Sequence, residues 1–99
     1  MRPTGDGRRL IEVDGEVVGA VRLVVAGGVE RIEDLAIEPS RRGAGIGSAV
    51  LVALDEEAAR AGDDLVVRLP EGARARSLFE RAGFAVAAIV DGEVELRRS

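Results

Sequence analysis

Leu35-Ala36-Ile37-Glu38-Pro39-Ser40-Arg41-Arg42-Gly43-Ala44-Gly45-Ile46-Gly47-Ser48 is the stretch on which the reading of this chain turns. It begins as an apolar strand, breaks at Pro39, crosses a glycine-rich loop from Ser40 to Gly45 and restarts at Ile46 with helical spacing. A helix start exposes unpaired N–H groups at the positive end of its dipole, so it attracts phosphate. Glycines let the backbone approach phosphate oxygens with no Cβ in the way. Two familiar phosphate motifs fit poorly. A dinucleotide fingerprint needs Gly-x-Gly-x-x-Gly, but after Gly43 and Gly45 the third position is Ser48. A P-loop needs Gly-Lys-Ser/Thr, and the chain has no lysine. A glycine-rich turn holding no ligand is the other reading of these residues taken alone.

Working upstream, Arg9 to Val13 and Glu16 to Val25 read as two strands joined by Asp14-Gly15, a favoured two-residue hairpin turn. Ala26-Gly27-Gly28 makes a second turn, and Val29 to Ile37 is a third strand. Residues 1–7 read as a frayed lead-in. On this third strand Ile32 and Leu35 are both apolar but three apart, whereas Leu35 and Ile37 keep the strand spacing of two. A β-bulge at Glu33-Asp34 reconciles them, and bulges re-aim side chains beside active sites. The plainer reading is a strand with one exposed apolar residue.

Downstream, Ile46, Ala49, Val50, Ala53, Leu54 and Ala58 make one apolar helical stripe, and Gly62 is placed to stop the helix. Leu65 to Leu69 is a short apolar strand of the kind buried at a sheet centre. After Pro70-Glu71-Gly72 comes a second helix with Ala75, Leu78, Phe79 and Ala82 on its inner face and Gly83 at its end. Phe84 to Val90 and Glu93 to Arg97 read as a terminal hairpin around Asp91-Gly92. The predicted order is βββαβαββ, an α/β fold with a mixed, mostly antiparallel sheet and two helices, spanning residues 1–99 as one domain.

Composition narrows the chemistry. The chain contains no Cys, His, Tyr, Trp, Lys, Asn or Gln. Thiol nucleophiles, Ser-His-Asp relays, lysine Schiff bases and Cys/His zinc sites are therefore excluded, and no metal is expected. Proton transfer is left to Asp, Glu, Ser, Thr, a terminus or water. All basic residues are Arg, interspersed with acids to a net charge of −4, which argues against nucleic acid as a partner. The longest apolar run, Phe84 to Val90, falls far short of the roughly 20 residues a membrane span needs. With no apolar leader core after Met1 and no cysteine, the expected location is cytoplasmic. A chain of 99 residues buries only roughly 60–65% of its unfolded surface, so an association partner would help it.

Arg42-x-x-Gly45-x-Gly47, following Leu35-Ala36-Ile37-Glu38-Pro39, resembles the pyrophosphate-binding motif of GNAT-superfamily N-acetyltransferases. Ala75-x-x-Leu78-Phe79-Glu80-Arg81-Ala82-Gly83-Phe84 resembles that family's second motif helix with its closing Gly-Phe. The two occur in the family's order and spacing, and the resemblance covers about residues 9–98. It implies the acyl-CoA N-acyltransferase fold, acetyl-CoA as co-substrate and an amine-bearing acceptor. It further implies that the backbone of Leu35, Ala36 and Ile37 pairs with the acetyl carbonyl and pantetheine arm. The amides from Arg42 through Gly43, Ala44, Gly45, Ile46, Gly47 and Ser48 would hold the pyrophosphate, and Phe79 would pack against the pantetheine, core packing being the other role open to Phe79 and Phe84.

Direct transfer to an amine needs a base, because a protonated amine cannot attack a thioester. Family members often place a base near this bulge, which makes Glu33 the first catalytic candidate, with Asp34 and Glu30 in reserve. Arg31 stands near a position where some relatives carry the glutamate. The plain alternative is that all these acids are solvated surface charges. Two departures stand out. Phe79 replaces the tyrosine that many members use as general acid, and Gly72 stands where Asn is common. The strand and two helices that usually precede the first strand and shape the acceptor site have no counterpart in the sequence. Their loss should expose apolar surface on that side, and pairing of that surface predicts a homodimer or a complex with another chain; the alternative is that the open cleft itself admits a bulky acceptor such as a protein terminus. Two further readings stay open: a non-catalytic acyl-CoA-binding module or part of a larger assembly, and a structural domain without a ligand.

Overall fold

A computed structural model describes residues 1–98. Seven strands form one sheet in the order β1-β2-β3-β4-β5-β7-β6. They are β1 (Arg2–Pro3), β2 (Arg8–Val13), β3 (Glu16–Ala26), β4 (Val29–Ile37), β5 (Asp64–Pro70), β6 (Ala85–Val90) and β7 (Glu93–Arg98). Helix α1 (Ile46–Ala61) links β4 to β5, and the short α2 (Arg76–Arg81) links β5 to β6. All neighbours are antiparallel except β4 and β5, which are parallel, as an αβ crossover requires. The expected order therefore holds, with one addition. Arg2 and Pro3 pair with Leu10 and Arg9, so the lead-in is partly strand, fixed by the Thr4 N–H bond to the Arg8 carbonyl at 3.0 Å.

The tight turns follow their sequences. Asp14-Gly15 and Asp91-Gly92 both have positive φ at both positions, the geometry whose twist matches the flanking strands. The bulge also stands where the spacing put it. Arg22 faces Asp34 and Leu23 faces Ile32, so Glu33 is the extra residue on β4.

One face of the sheet carries the core. Ile11, Val21, Leu23, Ile32, Leu65, Val67, Val94 and Leu96 point to it and meet Val50, Leu51, Leu54 and Ala58 of α1 and Phe79 of α2. Each fully buried side chain of this size contributes about 1.5–3 kcal/mol of transfer energy. The α1 stripe differs slightly from the sequence reading: Leu51 is buried and Ala49 is exposed, because the contact face is rotated by about one residue. Phe84 lies just before β6 rather than in it and meets the Phe79 ring edge-on at 5.3 Å between centroids.

The opposite face corrects an expectation. No helix covers it among the described residues, yet it is not apolar. Paired residues in adjacent strands share a face, and here they build a lattice of charges. Glu33 lies between Arg31 at 3.0 Å and Arg22 at 3.9 Å. Arg68 meets Glu95 at 3.3 Å, and Arg97 meets Asp64 at 2.8 Å. Val66, buried on this side, lies apart from the main core. Charged heads keep the face wet, and arginine stems shield what lies beneath them. Exposed large apolar side chains lie on β3, on α1 and at Met1, but three of them share one strand. Val86, Ile89 and Val90 all lie on the edge strand β6.

Candidate active site

The parallel seam between β4 and β5 is short. Val29 to Ile32 pair with Asp64 to Val67, and the two strands then separate. The extra residue at Glu33 redirects β4 at the point of separation, so the edge of Leu35-Ala36-Ile37 that faces away from β3 has no strand partner among the described residues. A cleft of about 780 Å³ opens there. Its apolar walls are Ile32, Leu35, Ile37, Val67, Leu69, Leu78 and Phe79, and its polar groups are Glu33, Asp34, Arg42, Arg68 and Arg74. Backbone N–H and C=O groups left open on a strand edge pair readily with an extended ligand.

A second cavity of about 320 Å³ lies beside the first, over the glycine loop. It is lined by Arg41, Arg42, Gly43, Gly45, Ile46, Gly47 and Ser48, together with Ile37, Leu78 and Arg81. Gly45 caps α1 in the left-handed region at φ 81°, which turns the chain so that the first helical N–H groups face outward. The first helical bond is from the Ala49 N–H to the Gly45 carbonyl at 3.0 Å. The N–H groups of Ile46, Gly47 and Ser48 are thus left for a ligand, and no acid in the first turn competes for them. A Cβ on Gly43 or Gly45 would meet no protein atom but would project into the open space above the loop. Gly47 has a second duty, because a Cβ there would come 3.2 Å from Leu78 Cδ2, so it lets α1 and α2 approach.

The arginines sort themselves by partner. Among the described residues, Arg8, Arg42, Arg60, Arg74 and Arg81 make no ion pair with an acid. Three of these five line the two cavities: Arg42 lines both, Arg81 the loop cavity and Arg74 the cleft. Arg42 Nε reaches the Ile37 carbonyl at 3.4 Å, while the adjacent Arg41 is tied to Glu16. Uncommitted guanidiniums around a cradle of N–H groups suit pyrophosphate. Acetyl-CoA carries that group, and the residues present fit it.

The structure brings Glu33, Asp34, Leu35, Ala36, Ile37, Arg42 and Phe79 together in the cleft, and Gly43, Gly45, Ile46, Gly47 and Ser48 in the loop cavity. Ala44 is in the loop but lines neither cavity. Phe79 borders the cleft from within the core at 2% exposure, so it shapes the wall and has no proton to give. Glu30 does not line the cleft. It is buried on the α1 side, where burial first, and then the neighbouring carboxyls of Asp63 and Glu57, raise its carboxyl above the usual range against the pull of Arg9. Sequence reasoning missed Arg74 and Arg81. For Arg81 a signal existed: it follows Leu78 by three on α2 and so shares the face that meets the glycine loop.

The model of the acetyltransferase (GNAT) domain matches residues 6–86. The chain is 40% identical over 91 residues to a mycothiol acetyltransferase of Clavibacter michiganensis, covering 89% of this chain and 28% of that protein. In fold it is similar to the PaiA N-acetyltransferase of Thermoplasma acidophilum, solved with coenzyme A, at a TM-score of 0.84 and 14% identity over 93% of this chain and 59% of that one. It is likewise similar to a GNAT family acetyltransferase of Elizabethkingia anophelis, solved with acetyl-CoA, at a TM-score of 0.81 and 16% identity over 93% of this chain and 74% of that one. The chain thus spans little more than a quarter of its sequence relative and less than two thirds of the first of these structures. A family match over most of the chain, on a splayed β4–β5 seam beside a glycine-capped helix, makes this chain a member of the GNAT acetyltransferase family.

Proposed function

We propose that this domain binds acetyl-CoA and transfers its acetyl group to an amine by direct attack. The observation that carries the reading is the continuity of the two cavities, which share Ile37, Arg42 and Leu78. A pyrophosphate on the 42–48 loop leads the pantetheine into the cleft, where the β4 edge can bond its amides and orient the thioester carbonyl. Glu33, or Asp34 beside it, takes the proton of the incoming ammonium. The amine nitrogen attacks the carbonyl carbon, negative charge gathers on its oxygen, the nitrogen releases its second proton to water, and the C–S bond breaks as the amide forms. Phe79 supplies no acid, so the departing thiolate takes its proton from water.

The test is calorimetry with acetyl-CoA followed by a thiol-release assay over a panel of amines. Binding without thiol release would leave a second reading, an acyl-CoA-binding module or one part of a larger assembly. That reading is supported by the buried Phe79 and by Glu33 being held between two arginines. An acyl-CoA donor supports a cytoplasmic site of action. The six apolar residues of β6, unpaired along one edge, support a homodimer formed by antiparallel pairing of that strand about a two-fold axis. A protein that stays monomeric by light scattering at high micromolar concentration would refute the dimer.

A further inference from the structure

Among the described residues, the cleft contains one carboxylate, Asp34, and two guanidiniums, Arg42 and Arg74, that no ion pair neutralises. Asp34 lies on the β4 wall and Arg74 on the segment between β5 and α2, and neither has an ion-pair partner among the described residues. They do not pair with each other either, although both line the same cavity. The other charged residues of the cleft differ. Glu33 is held by Arg22 and Arg31, Arg68 by Glu95, and Arg42 also belongs to the loop cavity. Among the cleft's arginines, Arg74 alone is both uncommitted and absent from that loop cavity.

The chemistry of the donor sharpens this. Between its pyrophosphate and its thioester, an acyl-CoA carries only the neutral pantetheine, so nothing in that stretch needs a cation. A guanidinium in the cleft is a fork built for a carboxylate, and an uncommitted acid on the facing wall is a site for an ammonium. We infer, resting on the acyl transfer proposed above, that the acceptor is a small zwitterion, an amine bearing a carboxylate such as an α-amino acid. Arg74 holds its carboxylate, and the Glu33–Asp34 corner receives its ammonium. Arg74 is then a specificity residue. It fixes which amine is presented to the thioester, and it takes no part in moving the proton.

The experiment compares an α-amino acid, its carboxamide and the matching decarboxylated amine as acceptors for the wild-type chain, Arg74→Ala and Arg74→Lys. A charge-assisted bond to a carboxylate predicts that the wild type favours the α-amino acid over its carboxamide by roughly ten- to a hundredfold in kcat/KM. In Arg74→Ala that ratio falls to near one, and Arg74→Lys restores part of it. Calorimetry of the same acceptors on protein loaded with free coenzyme A gives a readout without turnover, and there the preference must also depend on Arg74. Turnover of all three acceptors at similar efficiency overturns the assignment while leaving acetyl transfer intact. So does Arg74→Ala with an unchanged ratio but weakened acetyl-CoA binding that disappears with 3′-dephospho-acetyl-CoA, because Arg74 would then serve the donor's ribose phosphate. Acetyl-CoA binding with no thiol release on any acceptor, and no acceptor binding to the loaded protein, overturns both readings.

Discussion

Gly19 offers the sharpest test of how the cleft is held open. It lies on β3 opposite Ile37, and a Cβ there would overlap the Ala36 carbonyl oxygen well inside the 3.0 Å that such contacts respect. It would also stand 3.1 Å from Ile37 Cδ1 and 3.2 Å from Ile37 Cα. The obstacle is backbone, so Gly19→Ala forces β4 to retreat by up to roughly 1 Å in a close-packed sheet. Overpacking of this kind costs about 1–3 kcal/mol. Against it, the φ of Gly19 is not in the positive range, so alanine restricts the unfolded chain and returns about 0.4–1 kcal/mol. The clash wins at the midpoints of these ranges, leaving a net loss of about 1.3 kcal/mol and at most about 2.6 kcal/mol. At roughly 4–8 °C per kcal/mol for a domain of this size, Tm should fall by several to about 20 °C. The displaced residues are also those whose free edge faces the cleft, so acetyl-CoA affinity should fall with stability. Thermal unfolding followed by circular dichroism, with a calorimetric titration, measures both. A Gly19→Ala protein as stable as the parent and binding as well would refute the close-approach argument.

Three further outcomes follow from the same geometry. Gly45→Glu places a negative side chain into the loop cavity and should abolish acetyl-CoA binding, while Gly45→Ala at the same φ of 81° reports the backbone strain alone, about 1–2 kcal/mol; calorimetry that finds the glutamate variant binding normally removes the pyrophosphate from this loop. Glu33→Gln should lower turnover by roughly 10²–10⁴-fold with acetyl-CoA affinity retained, and a near-normal rate in the thiol-release assay would shift the proton to Asp34 or water. Glu30 has a carboxyl raised by burial and by Asp63, so the folded state holds its proton more tightly than the unfolded chain; its contribution to stability is complete below the ordinary glutamate range and is lost as pH rises through the raised value. Glu30→Gln should therefore stabilise the protein near neutral pH and lose that advantage as pH falls below the ordinary glutamate range, and denaturant melts showing the reverse would contradict the sign.

Much of the fold was legible because its signals are local. Asp14-Gly15 and Asp91-Gly92 specify their turns within two residues, and the break in spacing between Ile32 and Leu35 revealed the bulge at Glu33. The glycine loop was legible for the same reason. What escaped depends on contacts between distant segments. Arg74 and Arg81 reach the site only because α2 settles against Gly47, more than twenty residues earlier. Glu30 read as one solvated acid among several, yet alternation puts it on the same face as Ile32, and its pairing with Leu65 buries it there. Gly19 sits in a strand whose pattern tolerates a glycine without explaining it, and the Ala36 carbonyl behind it supplies the explanation. The helix-free face misled for a different reason. The resemblance implied missing cover, but alternation along β4, β5 and β7 had already placed Arg31, Arg68 and Arg97 where that cover would have been.

The four-pair seam between β4 and β5 has a thermodynamic consequence of its own. It divides the sheet into a leaf drawn from residues 2–37 and a leaf drawn from residues 64–98, stitched by few main-chain bonds and by α1 lying across them. Opening the stitch is the cheapest way to disturb the molecule without unfolding either leaf, so local fluctuation should concentrate there. A donor held by β4 on one side and by Leu78 and Arg81 on the other would act as a clasp across this fault line. Its binding energy would then appear as cooperativity, two leaves that fluctuate separately becoming one unit that unfolds together.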